Sequence, residues 1–368
     1  MNDPLLYKLA LSMIPGIGGI LARNLIAYAG SVEGLFQEPV SRLTKIPGIG
    51  EIIARRIKDP SVLSEADKEI SFTRKHGIEI FFYLDGNYPE RFKNCEDAPI
   101  IFYKKGNADL NPARAISIIG TRNATDYGRK MCDELLRDIA GKGYKPLVVS
   151  GLAYGIDIEA HKSALKYGLP TVGVLGHGLD KLYPSAHVQT ARNMLSDGGL
   201  ITDFPSGTRI DPSNFIRRNR LIAGLSDATI VIESGDKGGA LITADIALSY
   251  HRDVFAYPGR VTDLYSKGCN RLIQNNEAAM ITCASDLEFQ LGWNPAQARP
   301  AAVQQKLFIE LTDEERVITD MLISSEQAYL DDICRETGHP VGKISNLLLN
   351  LEFKGIIEVL PGKMYRLK

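Results

Sequence analysis

The sequence holds little that would lock a fold covalently or anchor it in a bilayer. Its five cysteines, Cys95, Cys132, Cys269, Cys283 and Cys334, are odd in number, scattered, and form no Cys-x-x-Cys pair. This argues against a disulfide framework and a structural zinc, and fits a reduced cytoplasm. No uninterrupted apolar run is long enough to span a bilayer, and the N-terminus lacks a basic stretch followed by an apolar one. Neither a membrane helix nor a secretory leader is expected. Charge of one sign is missing too. Lys and Arg number 43 against 44 Asp and Glu, leaving a formal net charge of −1. That excludes a histone-like coating protein, but not a local basic groove. The pattern Gly-x-x-x-x-Gly-Lys-Ser/Thr is absent, which argues against a P-loop ATPase, and Gly176-x-Gly178 lacks the third glycine of a dinucleotide fingerprint. No second carboxylate sits beside Asp157 or Asp203 at a metal-holding spacing, so both are read as loop-orienting residues, and neither metal nor cofactor is expected.

What is present is the composition of an ordinary globular protein, 44% hydrophobic and 24% charged, on a chain of 368 residues. That length suits two or three domains with ample core. The chain is organised around 203–247. A basic cluster with an aromatic inside it (Arg209, Phe215, Arg217, Arg218, Arg220) precedes a β-branched run at 228–232 that reads as a buried strand. Gly235-Asp236-Lys237-Gly238-Gly239 then opens a helix over 240–250. A strand, a glycine-rich turn and a helix start make an anion site, because the free N–H groups and the positive dipole end point the same way. Guanidinium groups beside an aromatic ring suit a ligand with phosphates and flat bases.

Taken in order, residues 1–60 repeat themselves. Ile14-Pro15-Gly16-Ile17-Gly18 returns as Ile46-Pro47-Gly48-Ile49-Gly50, each before an apolar-periodic helix, at 20–29 and 52–57. The pair looks like a helix-hairpin-helix domain, whose hairpin amides grip a DNA phosphate in that family. Lys45, Arg23, Arg55 and Arg56 could assist, and a helical domain kept for packing or partner contact is the equal alternative. A polar helix is expected over 64–76 and a strand over 78–84. From 115 to 290 strands and helices alternate: strands at 115–119, 146–149, 171–175, 200–202, 228–232 and 254–256, with helices at 127–141, 157–167, 191–196 and 240–250. This predicts an α/β domain over 61–290, a doubly wound parallel sheet. Glycine turns at 120, 151–155, 176–178 and 235–239 collect at its carboxyl edge. A linker is expected over 291–305. In the closing 306–368 unit Thr312-x-x-Glu315 is a capping box, and three helices followed by a hairpin read as a winged helix. Its third helix offers only Lys343 and Lys354 as cations, too few for reading a major groove, so protein contact or regulation is the favoured role.

Several stretches in unbroken order resemble the DNA-processing protein A family: SIIGTRNATDYG at 117–128, SGLAYGIDIEAHKSAL at 150–165, VLGHGLDKLYP at 174–184, NFIRRNRLIAGLS at 214–226, ALITADIAL at 240–248, VFAYPGRV at 254–261 and SKGCNRLIQNNEA at 266–278. The resemblance implies an extended Rossmann-like, mostly parallel sheet. It further implies a cytoplasmic homodimer that binds single-stranded DNA without sequence preference and loads the recombinase RecA, in natural transformation or recombination. Carried over residue by residue, Arg122 would contact a phosphate, Arg218, Asn219 and Arg220 would line the pocket, Phe215 would stack on a base, and the backbone of Gly238, Gly239 and Ala240 would take another phosphate. Gly120, Thr121, Gly151, Tyr154, Gly155, Arg217 and Lys237 complete the candidate DNA contacts, with no catalytic residue and no metal ligand. The chain departs from the family at Ile216, where proline is usual, and at Ala240, where serine is usual; the second leaves only a backbone contact there.

Other readings attach to the same residues. Arg122 could pair with Asp126, and Phe215 could be core. His161 is expected to be structural, bonded near Asp157 or the 150–155 turn, and His177 and His187 structural as well. Cys269 has no histidine partner and reads as packing. The alternative function is a nucleotide-binding or nucleotide-hydrolysing enzyme of the lysine-decarboxylase-like superfamily acting through Glu233. Its Gly-Gly-x-Gly-Thr turn is broken here as Gly238-Gly239-Ala240-Leu241-Ile242.

Overall fold

The structure, a computed structural model, describes residues 4–293, 311–325, 327–360 and 364–367. The chain divides into two units, Met1–Leu291 and Gly292–Lys368. Most of the expected linker, from residue 294 on, lies outside the described residues.

The first unit opens with helices Pro4–Met13, Gly19–Ala29, Val32–Gln37, Val40–Leu43, Glu51–Ile57 and Pro60–His76. Gly16 and Gly48 occupy equivalent places in the two hairpins with φ of 92° and 85°, a left-handed backbone that a side chain resists. Helix Pro60–His76 begins earlier than the sequence predicts. Asp59 accepts from the Ser61 N–H and Pro60 supplies the first turn, a capping signal ahead of the periodic residues.

A nine-stranded sheet follows, with β1 (Glu79–Phe82), β2 (Ile101–Gly106), β3 (Ala115–Ile119), β4 (Leu147–Ser150), β5 (Thr171–Val174), β6 (Gly199–Thr202), β7 (Ala228–Val231), β8 (Asp253–Ala256) and β9 (Ala279–Met280) in the order β1-β2-β6-β5-β4-β3-β7-β8-β9. From β6 to β9 all neighbours are parallel, while β1 and β2 add an antiparallel edge. The parallel strands β3 to β7 are buried end to end, as their β-branched sequences require when helices cover both faces. The chain steps outward from β3 through β4 and β5 to β6, then returns to the other side of β3 as β7. The crevice between the carboxyl ends of β3 and β7 is therefore a topological switch point, where ligands of such sheets sit. The hairpin helices share their core with this sheet: Leu9, Leu11, Leu25 and Ile57 cluster with Phe82, Ile100, Ile101 and Tyr103.

One long element is absent from the sequence expectation. Residues Pro212–Gly224 form a helix, capped by Asp211 through the Ser213 N–H. Helix Lys267–Gln274 and strand β9 were likewise not foreseen.

In the second unit, helices Asp313–Ser325, Leu330–Thr337 and Val341–Phe353 pack around Ile318, Leu322, Ile333, Ile344, Leu348 and Leu351. The expected hairpin, Ile357–Leu360 with Met364–Leu367, gains a third short strand, Gln327–Tyr329. The capping box closes as predicted: the Thr312 N–H donates to Glu315 Oε2 at 2.9 Å and the Glu315 N–H to Thr312 Oγ1 at 3.3 Å. Among the described residues no helix is long and apolar enough to cross a membrane.

Candidate nucleic-acid interface

The glycine turns do gather along the carboxyl rim of the sheet, and the turn after β3 is held from both sides. The Thr121 N–H donates to the Glu233 carbonyl at 2.7 Å, and the Ile156 N–H donates to the Thr121 carbonyl at 3.1 Å. From this fixed turn Arg122 projects into solvent. Among the described residues it has no ion-pair partner, since the Asp126 carboxylate is taken by Arg129 at 2.8 Å. Its guanidinium carbon stands 5.9 Å from the centre of the Phe215 ring. Phe215, half-buried near the start of helix Pro212–Gly224, packs its ring edge 3.0 Å from where a side chain at Gly176 would begin. Tyr183 stands 5.9 Å away, ring centre to ring centre, and Tyr154 is exposed on the neighbouring turn with its ring edge-on to His187. An unpaired guanidinium beside a cluster of accessible rings can neutralise a phosphate while a base stacks. Tyr183 was not among the expected contacts. Its signal was its place in the VLGHGLDKLYP stretch, in the loop that follows the β5 turn.

The other arginines are placed differently from one another. Arg218 is buried, 3% exposed, and does not lie open in the groove. Its Nη1 donates to the Gly151 carbonyl at 2.7 Å and to the Val174 carbonyl, tying the ends of β4 and β5 together. Gly151 has to be glycine for this, because a Cβ there would stand 2.2 Å from Nη1 and 2.5 Å from the Asp157 carboxylate. Burial pushes the Asp157 carboxyl up, and the Arg218 charge with N–H groups of Ala153 and Gly151 pulls it back. Burial likewise lowers the Arg218 guanidinium to about 10, which leaves it charged at neutral pH. Asn219 is buried beside it. Arg220 is spent on the Asp203 carboxylate and the Asp97 carbonyl. Arg217 also pairs with Asp203, at 3.3 Å, and lies 4.9 Å over the Phe204 ring, but its side chain stays 59% exposed. Arg209 is exposed and among the described residues free of ion pairs.

Across the switch point, helix Gly239–Ser249 starts without any side-chain cap, after the exposed Lys237. Ala240 is buried, but its backbone N–H belongs to this uncapped first turn, with Gly238 and Gly239 more open. These amides and the helix dipole offer a second anion position at the carboxyl rim. The carboxylate that a hydrolase would use faces away from solvent. Glu233 is 2% exposed and accepts the Thr125 N–H at 2.9 Å and the Thr125 hydroxyl at 2.5 Å, fixing the residue that caps helix Asp126–Gly141.

The histidines are structural, with one correction. His161 bonds Thr171 Oγ1 at 2.7 Å rather than Asp157 or the 150–155 turn, and burial, with the nearby His187 and Arg218, pushes its pKa down to about 3. His177 joins its own loop through the Gly178 carbonyl and Tyr183 N–H, and His187 meets the Leu152 carbonyl. Cys269 is fully buried. Among the described residues no cluster could hold a metal. The cations expected to assist the hairpins are mostly engaged: Arg23 with the Glu96 and Ala98 carbonyls, Arg56 with the Pro15 carbonyl and Arg55 with Glu51, leaving Lys45 among the described residues. In the winged helix Lys343 pairs with Glu314 at 2.6 Å and Lys354 with Glu315 at 2.7 Å.

Comparison with known proteins agrees with this layout. Residues 79–291 match the family described as DNA recombination-mediator protein A, 295–363 the DprA winged helix domain and 8–59 the SAM-like helix-hairpin-helix tandem. The chain is 29% identical to protein Smf of Synechocystis over 99% of both chains. It is similar to the crystal structure of DNA processing protein A from Streptococcus pneumoniae, with TM-score 0.64 and 30% identity over 78% of this chain and 97% of that one. It is also similar to the Helicobacter pylori DNA processing protein A whose single-stranded DNA binding mode has been described structurally, with TM-score 0.53 and 27% identity over 59% and 96%. The matched domains follow one another along the chain as hairpin tandem, switch-point sheet and winged helix, and the chain belongs to the DNA-processing protein A (DNA recombination-mediator protein A) family.

Proposed function

We propose that the protein binds single-stranded DNA without sequence preference along the carboxyl rim of its sheet, and that no bond is made or broken there. The observation that carries this reading is Arg122, exposed on a rigid turn, without an ion-pair partner among the described residues and 5.9 Å from the Phe215 ring. Arg122 and the amides of Gly239 and Ala240 hold phosphates, and Phe215 with Tyr183 and Tyr154 receives bases. Arg217, Arg209 and Lys237 add positive potential along the path. Arg218 supports the site from beneath by fixing the β4 and β5 turns. The single-strand binding of the Helicobacter pylori relative supports the same substrate class. By family, the bound strand is presented to the RecA recombinase by a cytoplasmic homodimer, in transformation or recombination.

Fluorescence anisotropy with labelled oligo-dT and mixed-sequence oligonucleotides tests the reading. Arg122→Ala should weaken binding to all single strands alike and reduce the slope of log K against log salt by about 1, one phosphate contact's worth. A duplex of equal length should bind more weakly, because paired bases cannot reach Phe215. Unchanged affinity in Arg122→Ala, or tighter binding to duplex, would move the site elsewhere.

A further inference from the structure

We propose that the helix-hairpin-helix domain and the helix that follows it, Pro60–His76, brace the DNA-binding helix Pro212–Gly224, with Arg23 of the domain and Glu69 of that helix as positioning residues, and that the domain does not itself grip phosphates. The proposal rests on the single-strand reading above and adds what the first domain contributes to it.

Two loops fix that helix; helix Gly19–Ala29 holds one and helix Pro60–His76 the other. The loop at 96–98 receives Arg220 at the Asp97 carbonyl, while the Tyr250 hydroxyl donates to the Asp97 carboxylate. Against its other side stands the first hairpin. A Cβ on Gly19 would come within 2.5 Å of the Ala98 carbonyl oxygen, so the first residue of helix Gly19–Ala29 packs closely against the backbone of this loop. One turn on, Arg23 donates to the Glu96 and Ala98 carbonyls, each at 3.1 Å. The second loop joins β6 to helix Pro212–Gly224. Here the buried Glu69 accepts the Ser206 N–H at 2.9 Å and the Ser206 hydroxyl, three residues from the Asp203 that holds Arg217 and Arg220. Charge-assisted bonds are about twice as strong as neutral ones, and losing Arg23 or Glu69 takes the partner from the Ala98 carbonyl or the Ser206 N–H, each in a part-buried bond. Arg23 and Glu69 thus set the loops from which Phe215 and Arg217 are presented. The domain's remaining cations are largely engaged internally, as Arg55 with Glu51 and Arg56 with the Pro15 carbonyl.

The full-length chain carrying Arg23→Ala, Glu69→Ala or Glu69→Gln, with Lys45→Ala/Arg55→Ala as the contrast, tests this by amide hydrogen exchange and oligo-dT titration. Without DNA, amides of 203–208 and 213–221 should exchange faster in Arg23→Ala and Glu69→Ala, while those of helix Glu51–Ile57 keep their rates. Glu69→Gln retains an acceptor for the Ser206 N–H and should restore slow exchange. Affinity for oligo-dT should fall about tenfold in the two alanine variants through lost preorganisation, with the salt slope unchanged because no phosphate contact is removed. Lys45→Ala/Arg55→Ala should bind like the parent protein. The brace is overturned if Lys45→Ala/Arg55→Ala lowers affinity and slope while Arg23→Ala and Glu69→Ala stay neutral. Unchanged exchange at 203–221, or faster exchange without loss of affinity, would overturn it as well. If the parent protein ignored oligo-dT, the single-strand reading would fail separately, with the exchange measurements still deciding the brace.

Discussion

Arg122 and Arg218 show how one residue type serves two ends within one site. Arg122 is exposed and has no ion-pair partner among the described residues, because the nearby Asp126 is taken by Arg129. Arg218 spends its charge inward on two carbonyls and Asp157. Their substitution should therefore separate binding from stability. Arg218→Met leaves Asp157 buried without its counter-charge and should cost about 3–5 kcal/mol in urea denaturation, part of which Asp157→Asn added to it should recover. Arg122→Ala should shift stability by no more than about 0.5 kcal/mol. If Arg218→Met proved as stable as the parent, the buried-tie role would be wrong. These roles were not legible in the sequence, where Arg217, Arg218 and Arg220 form one basic cluster. Only once the segment is helical does the division follow: Arg217 and Arg220, three apart, share a face and meet Asp203, while Arg218 is turned about 100° towards the sheet.

Among elements, the strands and their glycine turns were legible because short β-branched runs bounded by glycine admit few other structures. The helix Pro212–Gly224 was not read as one. Its buried apolar residues, Leu221, Ile222 and Ala223, crowd its last turn, and its first half is polar and basic, so apolar periodicity never spans it. Asp211-Pro212 was the available signal, a cap followed by a first-turn proline. Helix Gly239–Ser249 gives a prediction at this scale. Proline is tolerated at the first helical position, and Gly239→Pro removes one donor without removing the helix. Its oligo-dT affinity should fall several-fold while thermal stability and circular dichroism hold. Full affinity in Gly239→Pro would remove the helix start from the site.

For the whole molecule, the order of domains was readable, and the assignment of DNA contact among them was not. Paired Pro-Gly-x-Gly hairpins promise a phosphate grip, yet the first hairpin abuts the Ala98 carbonyl, and the winged helix neutralises Lys343 and Lys354 internally. Both outcomes depend on partners distant in sequence, which local patterns cannot supply. The central claim is that an unpaired strand lies on the sheet's carboxyl rim with bases against its aromatic side chains. It is tested most directly by photo-crosslinking the intact protein to oligo-dT carrying 5-iodouracil and mapping the adducts by mass spectrometry. Adducts on Phe215, Tyr183 or Tyr154, lost on competition with unlabelled oligo-dT, are the expected result. Adducts confined to the hairpins at 14–19 and 46–51 or to helix Val341–Phe353, with the rim unmodified, would contradict it.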